Sequence, residues 1–210
     1  MLIYILIWCC YQFYTQELLA QTWHHVKWVD DGDTIVLHDG RQVRYIGMNA
    51  PEIEHEDRKA EPFGHKARAF NKKLVHQQKV RLEFDEEQHD QYGRWLAYVF
   101  LKDGTLVNAS LVAQGYAFYL YRSPNLKYHS ILLTSQREAM SQGKGIWHNW
   151  REQNATYIGN KHSRRFHLQN CPFAKKIGTR NRIVFSKKWD GFWAGYAPAK
   201  TCVRQYWSYE

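Results

Sequence analysis

An α+β fold, mainly β, is predicted for this 210-residue chain: a closed five-stranded barrel of the OB type with three helices, then a small basic C-terminal module. Three observations carry this. Short runs of alternating apolar and polar residues are broken by Asp-Gly pairs, three segments carry helical spacing or helix start and stop signals, and the charge is distributed unevenly. The apolar fraction of 44% and charged fraction of 23% are ordinary for a folded chain and exclude wholesale disorder. Aromatic residues are plentiful, and they serve equally to fill small cores and to stack on bases.

The elements follow in order. "HHVKWVDDGDTIVLHDGRQVRYIGM" breaks at Asp31-Gly32 and Asp39-Gly40, which predicts a meander of short strands joined by tight turns. "EHEDRKAEP" is a charged loop stopped by Pro62. Phe63, Ala67, Phe70 and Leu74 then recur at helical spacing, predicting an amphipathic helix to about His76. "KVRLEFDEE" reads as a further strand, and "GRWLAYVFLKDGTLV" as a hairpin turning at Asp103-Gly104. Asn108 is placed to cap a short helix ending at Gly115. A longer helix runs from about Leu126 to Gln142. These elements assign residues 23–148 to the barrel and 149–156 to a polar linker.

Residues 157–210 form the second unit. Up to Thr156 basic and acidic residues balance, so the whole formal charge of +9 arises beyond it. Lys161, Arg164, Arg165, Lys175, Lys176, Arg180, Arg182, Lys187 and Lys188 are opposed there only by Asp190 and Glu210. A basic module beside a neutral one points to a polyanionic partner, nucleic acid or membrane surface. At the other end, residues 1–22 begin with the apolar run "MLIYILIWCCYQFY" and then turn polar. That run is shorter than a bilayer-spanning helix and resembles the apolar core of a signal peptide, with Ala20 at a cleavage position but no basic n-region. Export is the expectation, and a membrane anchor is the alternative. Cleavage would leave Cys171 and Cys202 as the only cysteines.

The chemistry lies in the first unit. Asp31-Gly32-Asp33-Thr34 sets two carboxylates around a strand turn, although Asp-Gly alone is a common hairpin signal. Arg44 stands on the next strand, Glu52 follows a Pro-fixed turn in "YIGMNAPE", and Arg94 sits in "DQYGR". Taken singly, each is compatible with a surface ion pair. Together, two guanidinium groups and several carboxylates form the inventory for phosphodiester hydrolysis. A hard cation held by oxygen ligands polarises phosphate, the forks neutralise its developing charge, and a carboxylate handles water.

"DDGDT", "VRYIGMNAPE", "FGHKARAFNKKLV", "DQYGRWLAYVF" and "LVNASLVAQGYA" occur in the order in which the staphylococcal nuclease (thermonuclease) family carries them. The resemblance covers about His24 to Trp147. It implies a calcium-dependent nuclease acting on DNA and RNA by in-line attack on phosphorus, with departure of the 5′-oxygen and no protein partner. Asp33 would ligate calcium and Asp31 would stand in the outer shell. Arg44 and Arg94 would clamp the scissile phosphate, and Glu52 would position water or act as general base. Tyr92 and Tyr121 would line the nucleotide pocket. The departure is Asn49, where the best-known members carry a second calcium-binding Asp. An amide oxygen still ligates but brings no charge, so a weaker calcium site is expected. A non-catalytic binding module of the same fold is the rival; such modules lose the charged site residues, which this chain keeps.

The C-terminal segment resembles the Ada-type metal-binding module that some of these nucleases carry. In that pattern a ligand pair precedes a Cys-x-x-Cys after "AGY-x-P". Here the first pair would be His167 and Cys171. Of the second pair only Cys202 survives, because Ala199 occupies the other position. A structural zinc site takes four ligands. The open arrangements are a three-ligand zinc site, one completed by His162, a metal-free relic, and a Cys171–Cys202 disulfide favoured by export. In each case basic residues interleaved with Phe166, Phe173, Phe185, Trp189, Phe192 and Trp193 could hold phosphates and stack bases, although some must form the core.

Overall fold

The computed structural model describes residues 22–54, 59–152 and 154–200; the apolar N-terminal run and Cys202 lie outside the described residues. Five strands close the barrel in the order β1 (Trp23–Val29), β2 (Thr34–Leu37), β3 (Gln42–Tyr45), β6 (Trp95–Phe100) and β5 (Lys79–Glu83), with β1 against β5. Within the barrel β3 and β6 pair in parallel and the other neighbours are antiparallel. The expected alternation along β1 is interrupted by a register shift between Val26 and Trp28, so the buried positions fall at Val26 and Val29. Such a bulge adds a residue and sharpens the twist that a small barrel needs.

The three expected barrel helices are α1 (Gly64–Val75), α2 (Val107–Ala113) and α3 (His129–Ser141). Asn108 does not cap α2. It lies inside the helix, fully buried, and accepts from the Val99 amide at 2.9 Å while donating to the Ile46 carbonyl at 2.9 Å. Buried polar groups require partners, and this amide supplies them to a strand and a turn at once. The expected hairpin after β6 is likewise reduced to a single bridge, Phe100–Leu106, because β6 has its neighbours on both sides in β3 and β5. A two-stranded ribbon of β4 (Met48–Asn49) and β7 (Phe118–Tyr119) sits beside the barrel and pairs Asn49 with Phe118.

The C-terminal unit is a four-stranded sheet in the order β10 (Arg182–Phe185), β8 (Tyr157–Asn160), β9 (Arg165–Leu168) and β11 (Ala197–Pro198). Two short helices, α4 (Pro172–Lys175) and α5 (Lys188–Trp193), accompany it. It shares a core with the barrel. Phe118, Ala139, Met140, Ile146 and Trp147 pack with Tyr157, Phe166, Phe185, Phe192 and Tyr196. Gln136 of α3, fully buried, accepts from the Tyr119 amide at 2.7 Å and donates to the Phe192 carbonyl at 2.6 Å. The stretch expected as a linker is fastened as well. Trp150 packs on Trp147 and Trp189, and the Glu152 carboxylate accepts from the amides of Lys188 and Trp189 at the start of α5.

Candidate active site

Close backbone approaches bring the motif residues together. A Cβ on Gly32 would meet the Cβ atoms of Ala50 and Ala67, so only glycine lets the Asp31–Asp33 turn lie beneath the segment after β4. A Cβ on Gly64 would strike the carbonyl of Glu52, so α1 begins directly against the backbone that presents that carboxylate. The Glu52 amide is further held by Glu61 Oε2 at 3.0 Å. The turn itself is tied by the Asp33 amide, which donates to Asp31 Oδ1 at 2.9 Å.

A cavity of about 230 Å³ opens at this end of the barrel. Asp31, Asp33, Arg44, Asn49, Glu52 and Arg94 all line it, so six of the sequence-predicted site residues meet in one place. Asp33 is nearly buried. Its Oδ2 accepts from the Ala50 amide at 2.7 Å and from Arg44 Nη2 at 2.9 Å. Burial pushes the Asp33 carboxyl well above the ordinary aspartate range; Arg44 opposes this, while Asp31 and Glu52 add to the rise. Arg44 Nη2 also donates to Asn49 Oδ1 at 3.0 Å, and Nη1 to the carbonyls of Tyr45 and Met48. The fork therefore spans both candidate ligands and is fixed in plane.

Arg94 is oriented by Asp90, which accepts its Nε at 2.8 Å and Nη2 at 2.7 Å. Burial raises the Asp90 carboxyl, but hydrogen bonds from Arg94 and from the amides of Tyr92 and Arg94 outweigh it and hold the group below the usual aspartate value. Tyr92 and Tyr121 are not among the lining residues. Tyr92 is 75% exposed with the Arg94 guanidinium 5.5 Å from its ring, and Tyr121 is half-buried against the barrel core. Sequence reasoning did not single out Asp90, Leu120, Arg122 or Lys200, all of which line the cavity. Lys200 comes from the C-terminal unit, and its Nζ stands 3.2 Å from Glu52 Oε1.

Among the described residues no three His, Cys, Asp or Glu side chains converge as a metal-binding group. The donors that line the cavity among the described residues are oxygens, from Asp31, Asp33, Glu52, the Asn49 amide and Asp90, the last of these paired with Arg94, with neither His nor Cys among them. Arg44 offsets part of the charge at Asp33, but with the carboxylates of Asp31 and Glu52 nearby this oxygen set would accept a hard cation.

In the C-terminal unit His167 Nδ1 lies 3.6 Å from Cys171 Sγ. Cys171 is disulfide-bonded and so is not a thiolate ligand; its expected partner, Cys202, lies outside the described residues. His162 sits in the exposed turn between β8 and β9. Phe166, Phe185 and Phe192 are core residues, whereas Phe173 and Trp193 are exposed.

The profile of the family described as "Staphylococcal nuclease homologue" matches residues 42–149. "Thermonuclease" of Staphylococcus intermedius is 42% identical over 125 residues, spanning 58% of this chain and 74% of that protein. "Thermonuclease" of Staphylococcus hyicus is 39% identical over 132 residues, spanning 61% and 77%. "Endonuclease YhcR" of Bacillus subtilis is 28% identical over 205 residues, spanning 85% of this chain and 17% of that protein. The ordered motifs, the closed barrel and the convergence of Asp33, Arg44, Glu52 and Arg94 agree with these matches: the chain belongs to the staphylococcal nuclease family.

Proposed function

We propose that this chain, a phosphodiester-hydrolysing nuclease by family, is calcium-dependent and cleaves DNA and RNA with little sequence preference. The observation that carries this is one cavity in which the guanidinium groups of Arg44 and Arg94 meet buried and half-buried carboxylates. Its charged lining addresses phosphate, which positions a strand without reading bases. Arg44 and Arg94 clamp the phosphate oxygens and neutralise the charge that grows on them. Glu52 takes the hydrogen bond of the attacking water and receives its proton, and the 5′-oxygen leaves in line. Asp33 and Asn49 would hold the calcium, with Asp31 outside them. When bound, it supplies positive charge to the phosphate.

The non-catalytic rival is disfavoured by the retention of this charged set in one cavity. We further propose that the protein is exported, where calcium concentrations suit a site with one neutral ligand. N-terminal sequencing of the mature protein distinguishes export from anchoring. Hydrolysis of single-stranded DNA tests the main reading: activity is expected with calcium and its loss with chelator. Chelator-resistant cleavage would contradict it.

A further inference from the structure

We infer that the C-terminal unit completes the cleft with a second nucleotide subsite, which takes an unpaired nucleotide beyond the two joined by the scissile phosphate. The inference rests on the nuclease reading and goes beyond it. Strand β11 pairs in parallel with β9, Ala197 with Arg165 and Pro198 with Phe166. That pairing directs the chain through Ala199 to Lys200, across the face of the β4–β7 ribbon. There a cavity of about 280 Å³ is lined by Asn49, Phe118, Leu120, Arg165, Pro198, Ala199 and Lys200. Three of these, Asn49, Leu120 and Lys200, also line the catalytic cleft. The two cavities are therefore neighbours with a shared wall, and the barrel and the C-terminal unit each supply part of the second.

Its chemistry is that of a nucleotide. Phe118, Pro198 and Ala199, themselves largely buried, and the half-buried Leu120 give it an apolar wall against which a sugar or the edge of a base can rest. Among the described lining residues Arg165 and Lys200 are the charged groups, and both are cations. The Arg165 guanidinium is fixed by donating to the carbonyls of Tyr121 at 3.1 Å and Ser163 at 3.2 Å. Lys200 behaves differently. Its side chain is 64% exposed and held in one ion pair with Glu52, a contact of the kind that contributes little to stability. A phosphate entering between the cavities can draw the ammonium off Glu52, which frees that carboxylate for water.

The test compares a dinucleotide, which holds one phosphodiester, with an octanucleotide, using the full chain in calcium. Lys200→Ala is expected to raise KM for the octanucleotide about tenfold more than for the dinucleotide, and Lys200→Arg to restore most of the difference. The slope of log KM against log salt is expected to fall by about 0.7 for the octanucleotide. Because Lys200 is exposed, the variants are expected to melt as the wild type does. Equal factors on both substrates, or a raised kcat on both, would overturn the subsite and mark Lys200 as a clamp on Glu52. If the wild type cleaves neither substrate in calcium, the nuclease reading fails. The subsite is then judged by octanucleotide binding in chelator: weakening by Lys200→Ala supports it, and unchanged affinity overturns it.

Discussion

Arg44 donates to Asp33 and to Asn49 from the same nitrogen, at 2.9 and 3.0 Å, so these three side chains act as a unit. The neutral amide at position 49 leaves Asp33 as the buried carboxyl group that pairs with that fork among the described residues. Asn49→Asp adds a charged oxygen without a large change of shape. It is expected to lower the calcium concentration for half-maximal activity roughly tenfold, since affinity follows ligand charge. A calcium titration of the rate checks this, and an unchanged midpoint would remove Asn49 from the ligand set. At this scale the sequence is most legible where neighbouring motifs fold against one another. Asp33, Arg44, Asn49 and Glu52 lie within 20 residues on successive strands and turns, and short-range geometry brings them together. Lys200 was not legible because it stands 148 residues from Glu52, and its position depends on how a second sheet docks. Tyr92 and Tyr121 were carried over from the resemblance; the exposed turn and the half-buried ring place them outside the lining.

Elements locate the site through buried polar crosslinks as well as apolar packing. Glu83 at the end of β5 accepts from Arg81, Lys127 and Tyr128, tying the barrel to the segment that leads into α3. Burial pushes the Glu83 carboxyl up, but the hydrogen bonds from Lys127, Arg81 and Tyr128 outweigh it and hold the group below the ordinary glutamate value. A depressed folded value means stability that is present above the unfolded value, about 4.3, and lost as pH falls through the folded one. Glu83→Gln is therefore expected to cost about 1 kcal/mol at pH 7, the exposure of Lys127 being allowed for. The gap to the wild type should close in acid, and urea unfolding at pH 7 and pH 3 reads both. The same scale explains where reading elements from sequence stopped short. Helical spacing located α1, start and stop signals located α2 and α3, and alternation located the barrel strands. Asn108 and the segment after Phe100 were misassigned because capping and hairpin signals are local, whereas those residues answer to β6, β3 and the turn beyond it.

At the scale of the whole molecule, charge division along the sequence announced a second unit but gave no sign of how firmly it is joined. The cluster of Phe118, Trp147, Phe166 and Phe192 spans both units, with ring centroids 5.0 to 5.5 Å apart in the contacts of Phe192. Phe192→Ala is expected to cost about 3–5 kcal/mol and to destabilise both units together. Wild-type unfolding should be a single transition by near- and far-ultraviolet circular dichroism; two separated transitions would show that the units stand independently. That junction places Lys200 in the lining of the cleft, so both units contribute to the candidate site. We propose that Glu52 handles the water when this cleft hydrolyses phosphodiesters. The most direct test is kcat on single-stranded DNA in saturating calcium for Glu52→Gln against the wild type. A fall of about 10²- to 10⁴-fold is predicted, with oligonucleotide binding in chelator retained; undiminished turnover would contradict the account.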